Sequence, residues 1–247
     1  MLSKIVRLIS AFSIILNPKA WRSFTQVSKI SRFDSAFLIS WSQSGEDLAL
    51  LQVLGNSVGK YLDVGAHDPS RFSVTRHLYQ IGWTGVNVEA NSLLIPKFNR
   101  ERNKDVNLWN AVGSKAIYSL TIFEEAAIST TNKIWEERFI SEGQKVIRRE
   151  EVPGITLRNI IDEYFQESTC GLLNIDIEGA DFDALKTIGF QNLAKNKYPD
   201  WILLESKPPV SASLKFKSVN YAVQNGYIPF LVLPRATLLK NANKTPI

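Results

Sequence analysis

Two short carboxylate-bearing stretches hold the residues that could do chemistry. In Tyr61–Ser70, YLDVGAHDPS, an apolar run meets Asp63, Gly65 follows two residues on, and Ala66 and His67 continue a tight turn. In Leu172–Leu185, LLNIDIEGADFDAL, Asp176 and Glu178 stand two apart at the end of a second apolar run. A third acid, Glu89, closes the run Gly85–Val88, 24 residues after Gly65. An apolar run, a tight turn and a helix start make the front half of a βαβ unit. Such turns gather at the C-terminal edge of an open α/β sheet, where ligands bind.

The dinucleotide fingerprint needs three glycines for a backbone to approach a pyrophosphate. Here Gly65 stands alone, with His67 and Pro69 in the other slots. A ligand without phosphate, such as S-adenosylmethionine, needs only one tight turn beside its methionine part and an acid for its ribose. Asp63, Gly65, Ala66, His67 and Glu89 meet that need, because a carboxylate at Glu89 can accept two ribose hydroxyls. The spacing equally fits a doubly wound sheet with ordinary helix caps and no cofactor.

Asp176 and Glu178 admit three roles. Asp176 could be a general base with Glu178 orienting an acceptor. Asp176, Glu178 and Glu205 could supply oxygens to a hard cation such as Mg²⁺, although no metal is expected. Or Asp176 touches a cofactor amino group and Glu178 caps the following helix. His67, with an ordinary pKa of ~6.5, reads either as a base or as a residue that holds the turn.

Four stretches occur in an order that resembles the FkbM-type methyltransferases: SQSGED (Ser42–Asp47), DVGAHDPSRFSVT (Asp63–Thr75), GWTGVNVEAN (Gly82–Asn91) and LLNIDIEGADFDAL (Leu172–Leu185). The resemblance covers about residues 41 to 207. Many relatives have glycine or another small residue near Pro69, and many have proline where this chain has Ala90. The resemblance implies a Rossmann-like class I methyltransferase fold. It also implies S-adenosylmethionine-dependent transfer of a methyl group to a hydroxyl of a saccharide or secondary metabolite, as in polysaccharide biosynthesis. It places SQSGED, and Gln43 in it, beside the cofactor. It places Asn110 where such enzymes often contact adenine; an Asn facing solvent at a strand end fits the sequence equally well. The rival readings are a non-catalytic ligand-binding or scaffold protein on the same fold, a nucleotide-dependent oxidoreductase and an RNA methyltransferase.

These residues need elements to hold them. Apolar runs predict strands into Asp63 and over Gly85–Glu89, Val106–Val112, Leu172–Ile177 and Trp201–Leu204, the last ending in Glu205, with Tyr227–Leu233 as the final strand. Ala116–Glu124 and Gln144–Val152 read as added strands. Helices are expected over Leu48–Leu54, opened by a capping-box-like Ser44-x-x-Asp47, and over Ser70–Ile81, with Asp68 as N-cap and Pro69 at the first position. Leu93–Asn103 and a segment from Thr156 through Phe165 are also helical, and Asp181 falls in the first turn of another. Ala126–Gly143 fits neither pattern and reads as an insert that could cover the acceptor. The expected architecture is a seven-stranded, mostly parallel sheet with helices on both faces.

Residues 1–36 read as a helical extension ahead of a domain spanning 37–247. Leu2, Ile5, Leu8, Ile9, Phe12, Ile15 and Leu16 share one helical face. The charge-free run Leu8–Pro18 is far short of the ~20 residues needed to span a bilayer. It also lacks a small-x-small cleavage site. The helix either lies in a membrane interface, helped by Lys4, Arg7, Lys19 and Arg22, or packs on the domain or on a second subunit.

The composition, 45% hydrophobic and 21% charged, is that of a globular domain with material for a core. The net charge of +5 is dispersed, so the basic clusters Arg148-Arg149 and Lys195–Lys197 read as solvated faces and no nucleic-acid partner is expected. A single cysteine, Cys170, permits no internal disulfide and reads as a buried thiol. That suits a reducing, cytoplasmic setting, with membrane association an open alternative. The expected partner is a small-molecule or glycan acceptor, with peripheral membrane contact or a homo-oligomer through the N-terminal helix left open.

Overall fold

The computed structural model describes residues 39–244. The expected extension over residues 1–36, with its membrane or subunit contacts, lies outside them, as does the proposed boundary at residue 37. Among the described residues no helix is long and apolar enough to cross a membrane.

Among the described residues ten strands form two sheets: β1 (Lys60–Val64), β2 (Thr84–Glu89), β3 (Val106–Trp109), β4 (Ala111–Val112), β5 (Ile117–Phe123), β6 (Val146–Ile155), β7 (Leu172–Ile175), β8 (Trp201–Glu205), β9 (Tyr227–Val232) and β10 (Ala236–Asn241). The main sheet has seven strands in the order β3-β2-β1-β7-β8-β10-β9, and the small one has the order β4-β6-β5. Pairings from β3 through β8 are parallel, whereas β10 runs antiparallel to both of its neighbours. From β1 the chain winds outward through β2 and β3, then returns to β7 on the other side of β1. The order therefore reverses between β1 and β7, and ligands bind beyond the carboxyl ends at such a switch point.

Alternation along the strands divides the core. Leu62, Val64, Leu173, Ile175, Ile202 and Leu204 face one side. They pack there with Leu157, Ile160 and Ile161 of helix α5 (Leu157–Tyr164), Ala184 and Leu185 of α6 (Asp181–Lys186), and Val219 and Ala222 of α8 (Lys217–Gln224). Tyr61, Leu172 and Leu203 face the other side, against Leu50 and Leu54 of α1 (Glu46–Leu54) and Leu78 of α2 (Arg76–Gln80). Helices α3 (Ile95–Glu101), α4 (Lys133–Ser141) and α7 (Val210–Ser213) complete the set.

The same alternation settles where Asp63 sits. It shares the Tyr61 face, pairs in register with Asn174 and is buried. Its carboxylate accepts hydrogen bonds from Thr75 Oγ1 at 2.7 Å and Asn174 Nδ2 at 2.8 Å. The sequence reading put Asp63 against the cofactor; the structure instead commits it to the packing beneath the turn. Burial raises its pKa, and these two donors act against that shift. Thr75→Val removes one donor from a buried carboxylate and is expected to cost about 1–3 kcal/mol of stability. Urea denaturation measures this, and an unchanged midpoint would show that the bond contributes nothing.

Three local expectations are corrected. The helix expected over Ser70–Ile81 shrinks to α2. Asp68 does cap, but it caps a turn: Oδ1 accepts from the backbone N–H of Ser70 (2.9 Å) and Arg71 (2.8 Å). Phe72 then adopts φ 58°, which a helix cannot continue. The fully buried Arg102 guanidinium holds this loop by donating to Pro69 O (3.0 Å) and Ser73 Oγ (2.9 Å). Second, Ser44 and Asp47 form no capping box. The Asp47 carboxylate instead accepts from Ser40 Oγ, Trp41 N and Ser42 Oγ at 2.6–2.7 Å. Third, Tyr227–Val232 is not the final strand, because β10 follows and inserts between β8 and β9. The unassigned stretch Ala126–Gly143 contains α4, capped by the Asn132 side chain. Cys170 is buried, and burial raises its pKa.

Candidate active site

The switch point is built from two loops in backbone contact. Gly65 N and Ala66 N both donate to Val88 O (2.9 and 3.1 Å), and Asp176 N donates to Val64 O at 3.0 Å. Gly65 has φ 77°, and a Cβ there would overlap the Asp176 carbonyl oxygen and crowd Ile177. The glycine lets the end of β1 lie directly against the end of β7.

On the β2 side of this junction is a cleft lined by Gly65, His67, Glu89, Asn110, Asp176 and Glu178, among others. Glu89 is buried at its floor. Oε2 accepts from His67 N at 2.8 Å and Oε1 from Asn91 N at 2.7 Å. The backbone N–H of Ala90 also acts on this carboxylate. Burial pushes the Glu89 pKa up to about 7 against the pull of these backbone donors. Asn110 donates its side-chain amide to Pro153 O at 3.1 Å, which fixes its orientation.

On the β8 side a second cavity adjoins the first and shares Gly65, His67, Ala127, Asp176 and Glu178 with it. Gln43, Glu46, Asn174, Glu205 and Arg235 complete its polar lining. Asp176 opens to solvent in the cleft, yet protein surrounds it on the other sides and limits its hydration. Its pKa is raised well above the usual range, first by that desolvation and then by Asp181, Glu178 and Glu205. Desolvation also lifts Glu178 to about 7 and Asp181 to about 6, and Glu205 adds to both. Glu178 adopts φ 46°, an uncommon backbone for a non-glycine residue, held there by its neighbours.

Those neighbours come from the insert after β5. Thr130 Oγ1 donates to Glu178 O (2.9 Å) and Asn132 Nδ2 to Gly179 O (2.8 Å). Trp135 of α4 lies so close that a Cβ on Gly179 would overlap its indole. Arg71, four residues after His67, grips Glu125 through two hydrogen bonds of 2.9 and 2.6 Å. That pairing lowers the Glu125 pKa to about 2.

His67 has φ 52° and lies partly buried, and burial lowers its pKa. Its Nε2 is 3.2 Å from Arg71 Nη1. Arginine has no acceptor, so Nε2 must accept and the ring proton sits on Nδ1. The Nε2 lone pair is therefore already engaged by Arg71.

Of the residues singled out in the sequence, Gly65, His67, Glu89, Asn110, Asp176, Glu178 and Gln43 line one or both cavities. Asp63 and Ala66 line neither: the Ala66 N–H donates to Val88 O and its methyl group is buried, so it supports the turn instead of facing a ligand. Sequence reasoning passed over Glu46 and treated Asp181 only as a helix-start acid. Both are carboxylates at segments that end on the same sheet edge, and that placement was the available signal.

The chain matches the methyltransferase FkbM domain over residues 63–210. The chain belongs to the FkbM methyltransferase family. The match spans the FkbM domain from β1 past β8, and so includes both loops of the switch point. The strand order, with a reversed strand between β8 and β9, gives the FkbM domain the Rossmann-like class I methyltransferase fold. No curated protein matches significantly. Among solved structures, a TehB-like SAM-dependent methyltransferase from Corynebacterium glutamicum aligns at 10% identity and TM-score 0.39, covering 91% of this chain and 100% of that one. A human methyltransferase 10 domain containing protein aligns at 14% identity and TM-score 0.42, covering 93% and 99%. The fold assignment rests on the strand order and the family match, not on these distant likenesses.

Proposed function

We propose that this FkbM-domain protein transfers a methyl group from S-adenosylmethionine to a hydroxyl of a saccharide or secondary metabolite. One observation carries the reading: a buried carboxylate, Glu89, and an acid pair, Asp176 and Glu178, meet at one sheet edge across the switch point. One side suits a cofactor ribose and the other suits an acceptor proton. The residues fit the cofactor. On this reading Glu89 receives the ribose hydroxyls, Asn110, which borders the same cleft, meets the adenine, and the turn of Gly65 and His67 lies beside the methionine end. When bound, the cofactor supplies an electrophilic methyl group. This chain's residues then orient the acceptor in line and remove its proton. Glu178 or Asp176 takes the proton, since Nε2 of His67 is engaged by Arg71. Residues of the insert, including Ala127, Ser129 and Thr131, line one wall of the cleft.

The test is transfer of label from S-adenosylmethionine into a cell glycan fraction. Label entering only RNA or protein, or none entering any acceptor while the cofactor is bound, rejects the reading.

A pH effect on binding follows from Glu89. Below pH about 7 the free site holds it protonated, and above that it is the carboxylate that accepts ribose hydroxyls best. Affinity for S-adenosylhomocysteine is therefore expected to rise as pH increases through 7. Glu89→Gln should flatten that profile and weaken binding by roughly 10²-fold, the scale of losing charge-assisted hydrogen bonds. Calorimetry across pH measures both; an unchanged affinity in the variant would remove Glu89 from the site.

A further inference from the structure

The geometry points to a site for one hard divalent cation held by Asp176, Asp181 and Glu205. One carboxylate oxygen from each lies within 4.8 Å of the others. Two ligands on opposite sides of one ion at ~2.3–2.6 Å are about 5 Å apart, so this spread accommodates a cation of Ca²⁺ size as it stands. An all-oxygen donor set selects Mg²⁺, Mn²⁺ or Ca²⁺ over softer metals. The ligands stand on firm supports: Asp176 on the loop after β7, Asp181 as the first residue of α6 and Glu205 as the last of β8.

A second observation comes from another part of the chain. Glu46, in α1, lines the same cavity as Asp176 and Glu205, and it is only 5% exposed. Its Oε2 accepts from Ser44 N at 2.9 Å, while its Oε1 has no hydrogen-bond partner among the described residues. A buried, unsatisfied carboxylate oxygen is costly unless something outside the protein completes it. A cation, or water bound to one, supplies that partner. Arg235 and His67 are the basic side chains lining this cavity among the described residues, against Glu46, Asp176, Glu178 and Glu205.

Three protein ligands leave coordination positions free. On the methyl-transfer reading proposed above, those positions would take acceptor oxygens, and the ion's charge would acidify the hydroxyl to be methylated. The cation site itself does not depend on that reading.

The test uses Mn²⁺ as the probe with full-length, chelator-stripped protein, following free Mn²⁺ by electron paramagnetic resonance. One Mn²⁺ per chain is expected, displaceable by Mg²⁺ or Ca²⁺. Asp181→Asn and Glu205→Gln should each weaken it at least 10-fold, and Glu124→Gln, at an exposed acid outside the cluster, should leave it unchanged. Mn²⁺ should raise the melting temperature of the parent and not of the two cluster variants. Because Asp181 also accepts from Ile177 N, Glu205→Gln serves as the variant that spares this turn. Absence of saturable binding to the folded parent up to roughly 10⁻³ M, binding of amines in place of Mn²⁺, or full binding by both folded variants would overturn the site. Mn²⁺ binding without methyl transfer would reject the proposed activity alone. Chelator-insensitive transfer without Mn²⁺ binding would reject the cation site alone.

Discussion

Glu178→Gln is expected to lower methyl transfer by ~10²–10⁴-fold, the scale of losing a general base or a group that orients the acceptor. The substitution keeps size and shape and leaves the backbone bond from Thr130 to Glu178 O intact. Glu178 lies on the shared wall of both cavities, where the proposed activity has acceptor and methyl group meet. Cofactor affinity should move by no more than about threefold, because an interaction made only in the transition state shows in turnover and not in ground-state binding. A second readout separates this from damage to the fold. In the metal-free protein the Glu178 pKa is raised from 4.5 to about 7. The folded form therefore holds a proton that the unfolded form has lost between those values, and the stability linked to that proton disappears as pH rises through 7. The glutamine variant should accordingly melt higher than the parent above pH 7. Asp176→Asn should also reduce turnover. Full turnover in both variants would remove the acid pair from the mechanism and direct attention to His67.

Gly65→Val is expected to be the most damaging single change in the domain. A valine must adopt φ 77°, which costs of order 1–3 kcal/mol for a residue with a Cβ. Its Cβ would also overlap the Asp176 carbonyl oxygen, which is backbone and cannot rotate aside. The ends of β1 and β7 must then separate, and a total loss of roughly 4 kcal/mol or more is expected. Gly65→Ala carries the same overlap with less bulk. Any folded fraction of it should bind cofactor poorly, because the displaced strand ends include the floor of both cavities. Denaturant titration with cofactor calorimetry measures this. Parent-like stability together with parent-like binding would contradict the contact.

The central strands were legible because their apolar runs are buried on both faces by helices, so composition and length announce them. Thr156 as a cap and the added strands β5 and β6 were legible from local chemistry. Asp68 was recognised as a capping residue, but what it caps was set by a distant partner, Arg102, which reaches from beyond α3 into Pro69 and Ser73. Nothing in the spacing of Ser70–Ile81 announces that contact. β10 was missed because Ala236–Asn241 follows the β9 run directly after a Pro-Arg turn; its identity as a strand comes from pairing on both sides. Within the site, Glu89, Asp176 and Glu178 could be placed because strand ends of a parallel sheet share an edge. Asp63 was misplaced for a related reason. One residue of strand, Val64, separates it from that edge's turn, and the pleat sends its side chain to the α1–α2 face.

The insert's attachment has a consequence for how this protein could change. Thr130, Asn132 and Trp135 fasten it to the backbone of Glu178 and Gly179, and the contacts use main-chain carbonyls and a glycine surface. Main-chain atoms are common to every sequence, so the fastening does not depend on which side chains fill the rest of the insert. The insert wall beside the cleft is thus an exchangeable part on a fixed fitting. New loops could be installed behind these three anchors, and the shape of the cleft retuned, without redesigning the end of the sheet.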